Sequence, residues 1–173
     1  MRLFKRKKER HLDRRSSAMS AGTIDSKRRA LSFTSLSEVM PEVDRLLQGH
    51  RTVGNWSLAQ ICSHLAGSFI FSVEGFPARV PWLIRKTIGP LAKREVFGKG
   101  RMREGIKLPE KFTPPSGLDA RAEAEALRAA LNVYSAHAGP LADHPMFGRL
   151  SRDEWTRLHC IHCAHHLSFV VTE

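Results

Sequence analysis

Three Ser-x-x-Glu/Gln signals do more than any other feature to restrict what this chain can become. They are Ser35 with Glu38, Ser57 with Gln60 and Ser151 with Glu154. Each has the form of a capping box, in which the Ser side chain and the acidic or amide side chain three residues on satisfy the first free N–H groups of a helix. Each also precedes an apolar pattern of helical period. Leu36, Val39, Met40, Val43, Leu46 and Leu47 mark a helix over 36–48, with Pro41 either in its first turn or at a kink and Gly49 ending it. Leu58, Ile61, Cys62, Leu65, Phe69 and Val73 mark a helix over 58–74, stopped by Gly75 and Pro77. His64 lies off the centre of that stripe, on the side of Gln60, Gly67 and Phe71. The helix after Ser151 is expected to continue to about Val170.

Between these segments the pattern is less regular. Trp82, Leu83, Ile84, Ile88 and Leu91 suggest a helix that Gly89-Pro90 would break or kink, with Arg85, Lys86, Lys93 and Arg94 as its solvated face. Residues 98–118 contain four Gly and three Pro and read as a long loop, a kind of segment that often carries function. An Ala-rich helix is expected over 119–136, burying Leu118, Ala122, Leu127, Ala130, Leu131 and Tyr134. Several substantial helices and no convincing strand pattern predict an all-α fold, a helical bundle.

The chain has 173 residues, enough for one domain. Its net charge of +11 is uneven: residues 1–15 carry eight Lys/Arg against Glu9 and Asp13, more than half of the total. Residues 1–26 thus read as a basic, disordered leader, with Met19 as an alternative translation start, and 27–173 as the folded body. No apolar run approaches the ~18–20 residues of a membrane span. The basic start is followed by no apolar segment, which argues against a secretory signal. Three Cys make no disulfide framework, and the cytoplasm is the simplest compartment.

The chemistry-bearing residues gather near the C-terminus. At about 100° per residue, His159, His162 and His166 share one face with Trp155 and Leu158, the face a bundle would bury. Histidines four apart stand one above the other, so His162 and His166 can grip one ion. A third imidazole from another helix, with His64 the best placed, would complete a three-His site with positions open for water or substrate. A single buried His is ordinarily a hydrogen-bonded core residue. Several on one apolar stripe need partners, and a divalent ion is an efficient one. His165 points partly away and can orient a ligand or meet substrate. His144, before Pro145, lines the site or closes the turn there. Cys160-Ile161-His162-Cys163 contains a CxxC, but its two thiols are centred roughly 110° from the His162/His166 line. Apolar packing suits all three Cys better than zinc or redox chemistry. Asn55-Trp56 reads as a packing and entry-turn feature. There is no Gly-rich phosphate loop, HExxH motif or Ser nucleophile elbow.

Gly54-Asn55-Trp56-Ser57-Leu58-Ala59-Gln60, leading to His64-Leu65-Ala66, resembles the second-helix segment of DinB/YfiT-like proteins. His162-x-x-His165-His166-Leu167 resembles their last-helix signature. Gly75-Phe76-Pro77, His144-Pro145-Met146-Phe147-Gly148 and Glu154-Trp155 narrow the resemblance to the branch called domain-of-unknown-function family 1569 (DUF1569). The likeness runs from about Lys27 to Glu173. It implies an up-down-down-up four-helix bundle and a divalent metal, nickel or zinc, held by three His, which map onto His64, His162 and His166. It further implies a metal-dependent hydrolase or a thiol-dependent S-transferase acting on a small molecule, often as a homodimer. Leu167-Ser168-Phe169 stands where many DinB proteins have Arg-Gly-Gln, which loosens the link to a specific reaction.

Two classes of function therefore compete. In the first, a three-His metal activates water or a low-molecular-weight thiol, with His165 or His144 assisting proton transfer. In the second, the metal-binding or interaction module is non-catalytic, and the basic arm contributes loose binding to nucleic acid or an anionic surface. Nucleic-acid association ranks low, because a charge run is usually a solvated arm.

Overall fold

The computed structural model describes residues 28–78, 80–105 and 113–173. The expected leader, and the centre of the expected long loop, lie outside the described residues. In chain order the elements are a 3-10 turn (Leu36–Glu38), α1 (Val39–Leu46), β1 (His50–Thr52), α2 (Leu58–Glu74), α3 (Trp82–Lys99), α4 (Ala120–Ala136), α5 (Arg152–Leu167) and β2 (Val170–Thr172). Among the described residues the fold is mostly helical, with five helices and one small sheet, in broad agreement with the all-α expectation.

All three capping boxes form. Ser57 Oγ accepts from Gln60 N at 3.2 Å while Gln60 Oε1 accepts from Ser57 N at 3.0 Å. Ser151 and Glu154 repeat the exchange at 3.1 and 3.0 Å. Asp119 caps α4 through Ala122 N at 2.8 Å. The Ser35 box opens a 3-10 turn that passes into α1, which places Pro41 in the first α-helical turn, where its missing N–H costs least.

The core is one cluster. It gathers Val39, Val43 and Leu46 of α1, Leu58, Ile61, Cys62, Leu65 and Phe69 of α2, Ala124, Leu127, Ala130 and Tyr134 of α4, and Trp155, Leu158, Cys163 and Leu167 of α5. The α2–α4 pair is the most extensive helix contact among the described residues. On α4 Ala124, not Ala122, is buried beside Ala130, and Ala122 is exposed.

Two expectations are corrected. First, of the break or kink expected at Gly89-Pro90, the break is absent: α3 runs unbroken through it. Pro90 is exposed, so water can meet the carbonyl it leaves without an N–H. Gly89 is the only buried residue of α3, and a Cβ there would lie 2.6 Å from the Met146 carbonyl oxygen. The glycine is needed for close approach of two backbones rather than for a break. Second, α5 ends at Leu167 instead of reaching Val170, and two short strands are present. The Ser168 hydroxyl donates to the His165 carbonyl at 2.6 Å. The β-branched Val170-Val171 pair then joins β1 antiparallel, His50 opposite Thr172 and Thr52 opposite Val170.

Candidate metal centre

α2 and α5 carry the site. His64 sits near the middle of α2, and His162 and His166 lie one turn apart on α5. Their ring nitrogens converge. His64 Nε2 is 3.1 Å from His162 Nε2, and His166 Nε2 is 3.0 Å from His162 Nε2. One ligand atom from each residue falls within 4.8 Å of the other two. All three residues are half-buried.

The electrostatics favour neutral imidazoles. Burial holds His64 down at about 4, with His165 adding to the effect. Burial, then His64, His165 and Arg28, holds His166 at about 2. Burial also pushes His162 well below the ordinary histidine value, assisted by the neighbouring histidines. A neutral imidazole nitrogen carries either one proton or one lone pair. His162 Nε2 can make one full hydrogen bond, yet it faces two partner nitrogens. A divalent cation resolves that crowding, because it accepts lone pairs from all three rings at once. The donor set therefore fits a metal ion.

Trp56 forms one wall. Its ring stacks on His166 at 5.4 Å and 9°, and stands 5.1 Å from His64. Trp56 thus does more than pack and shape the entry turn to α2. Its position directly before the α2 capping box was the available signal, since that box ties the preceding residue to the helix that carries His64.

His165 lies beside the cluster, its ring edge-on to His166 at 4.9 Å. Arg28 Nη2 is 3.4 Å from His165 Nδ1. A guanidinium only donates, so Nδ1 accepts and Nε2 carries the proton. Arg28 also bonds the Ser168 hydroxyl and Glu104, the latter at 2.5 Å, and lies over the Phe169 ring. Burial and then Arg28 lower His165 to about 4, against an opposing pull from Glu104. Arg28 had no sequence signal, because its role depends on chain folded back from far away.

The structure places the other histidines elsewhere. His144 Nδ1 accepts from Met146 N and Phe147 N at 3.1 and 3.0 Å, and its ring stacks on Phe147. Its other ring neighbours are Phe76 and Trp155, not the three clustered histidines. His159, which shares the α5 face by spacing, is a core residue, with Nε2 3.2 Å from Ser72 Oγ and its ring stacked on Phe69. All three cysteines are buried and free. Burial raises Cys62 to about 12 and also raises Cys160 and Cys163, so none is poised as a thiolate.

Fold and site together define a helical protein with a half-buried three-histidine cluster between two of its helices. The chain belongs to the family described as protein of unknown function DUF1569, whose match spans residues 25–173. Comparison with curated proteins and with solved structures found no match.

Proposed function

We propose that this chain is a metal-dependent enzyme of DinB-like type, in which His64, His162 and His166 hold a divalent ion, nickel or zinc. The observation that carries the reading is the convergence of three neutral imidazole Nε2 atoms, with 3.0 and 3.1 Å separations, at a half-buried site. When bound, such an ion lowers the pKa of a coordinated water or thiol and so supplies a nucleophile at neutral pH. That chemistry suits a hydrolase or an S-transferase using a low-molecular-weight thiol. Among the described residues no carboxylate joins the histidine cluster. This favours thiol activation, which needs no separate protein base. His165, whose Nδ1 accepts from Arg28, keeps its Nε2–H as a hydrogen-bond donor that would orient a bound thiolate or substrate. His144, its Nδ1 committed to two backbone N–H groups, fits turn closure better. The fully buried core formed by α1, α2, α4 and α5, against which α3 sets the partly buried Val96 and Phe97, supports reading those four as the up-down-down-up bundle.

Metal analysis of the purified protein beside His162→Ala tests the ligand set. One equivalent in the parent and its loss in the variant are expected, and full retention in the variant refutes the assignment. A screen of thiols paired with electrophiles, and of hydrolysable esters and amides, then tests the reaction. A loaded protein silent in both arms would be a non-catalytic metal-binding module.

A further inference from the structure

α3 is a helix turned inside out. Trp82, Leu83, Ile88 and Leu91 are between 52 and 68 % exposed, and Ile84 joins them on the surface. At about 100° per residue, Leu83, Ile84, Ile88 and Leu91 lie within an arc of roughly 140°. That arc is opposite Gly89, the residue packed against the Met146 carbonyl. The charges that would ordinarily face water instead hold the helix to the body. Lys93 pairs with Glu154 at 2.8 Å, Arg85 reaches Asp143 at 4.0 Å, and the Phe97 carbonyl accepts from Arg157 at 2.6 Å. The outward apolar face is thus fixed by contacts on the inner side.

Cations border this face. Lys86 lies beside the stripe, Arg94 at its C-terminal end and Arg101 just beyond the helix. All three are exposed and have no ion-pair partner among the described residues. Glu95, the one acidic residue of α3, is already held by Lys99 and Arg103 at 2.8 and 3.1 Å. A second copy of this face is a poor occupant, because two-fold pairing would bring two sets of spare cations together. An apolar stripe with unpaired Lys/Arg beside it matches an anionic lipid surface, which takes up side chains below its headgroups and offers charge to the cations. The basic run in residues 1–15 adds a second attractive signal.

The geometry points to α3 as an interfacial helix that docks the protein on anionic membranes through Leu83, Ile84, Ile88 and Leu91, with Lys86 and Arg94 at the headgroups. No helix among the described residues is long and apolar enough to cross a membrane, so the contact is peripheral. The test is flotation of the full chain with vesicles of phosphatidylcholine alone and of phosphatidylcholine mixed with phosphatidylglycerol. Binding is expected only to the mixed vesicles, weakening as salt rises from about 0.1 M. Ile88→Asp/Leu91→Asp should bind at least about tenfold more weakly, from loss of two buried aliphatic chains. Lys86→Glu/Arg94→Glu should also weaken binding. Circular dichroism should show both variants folded, because these side chains make no core contact. Wild-type binding by both variants would assign attraction to the leader alone and overturn the proposal. So would absence of binding to mixed vesicles, or a solution dimer that Ile88→Asp/Leu91→Asp dissociates.

Discussion

Thermal stability should depend on divalent metal, and His162 should be the residue through which it does. Tetrahedral metal–nitrogen bonds of about 2.0–2.1 Å put ligand nitrogens about 3.3–3.4 Å apart. The two separations from His162 Nε2, 3.1 and 3.0 Å, need only a few tenths of an ångström of expansion. Loading should therefore cost little rearrangement around His162, and most of the binding energy should appear as stability. At free metal a hundredfold above Kd, the gain is about 2.7 kcal/mol. For a chain of this length each kcal/mol moves Tm by about 2–4 °C, so zinc or nickel should raise Tm by roughly 5–11 °C. His162 is the shared neighbour of both other rings, and His162→Ala leaves two nitrogens with no central partner. The metal-free variant should unfold near the metal-free parent, because the lost ring was opposed by two like groups. Its metal-dependent shift should vanish. Differential scanning fluorimetry of chelated and reloaded protein measures both. A variant that keeps the parent's shift, or a parent indifferent to every divalent ion, refutes the reasoning.

Two further outcomes are expected. Gly89→Ala removes the ordinary cost of a helical glycine, worth up to about 1 kcal/mol, but drives a Cβ to 2.6 Å from the Met146 carbonyl. The clash should win, giving net destabilisation of about 1–2 kcal/mol in urea melts, and a variant as stable as the parent would show that this backbone approach is not close. Burial, with a smaller effect from His144, holds His159 at about 3 against an ordinary 6.5. Below pH 6.5 the unfolded chain takes up a proton that the native core, with Ser72 and Tyr134 around this ring, refuses. Stability is then lost as pH falls from 6.5 towards 3, by up to about 1.4 kcal/mol per unit. His159→Phe keeps the aromatic stack, and the Ser72 hydroxyl still donates to the Phe69 carbonyl at 2.6 Å. Between pH 7 and pH 4.5 it should lose roughly 2–3 kcal/mol less than the parent, and equal losses in urea titrations at the two pH values would remove His159 from the acid response.

What the amino-acid order settled by itself was local. A capping box spans four residues, so Ser35, Ser57 and Ser151 announced their helices without help from the rest of the chain. His162 and His166 meet because four residues make about one turn, whatever the helix packs against. The third ligand was legible as a candidate, but whether His64 points at that pair depends on how α2 lies against α5. The same holds for Trp56 and Arg28, which reach the cluster from distant positions. Pairing of Val170–Thr172 with His50–Thr52 joins segments far apart in the chain, and a three-residue strand leaves no period to detect. α3 shows the division most plainly. Its apolar residues made a helix legible, yet their periodicity carries no label for inside or outside. Tertiary structure decided that by seating Gly89 on the Met146 carbonyl and pairing Lys93 with Glu154, which turned the apolar stripe outward.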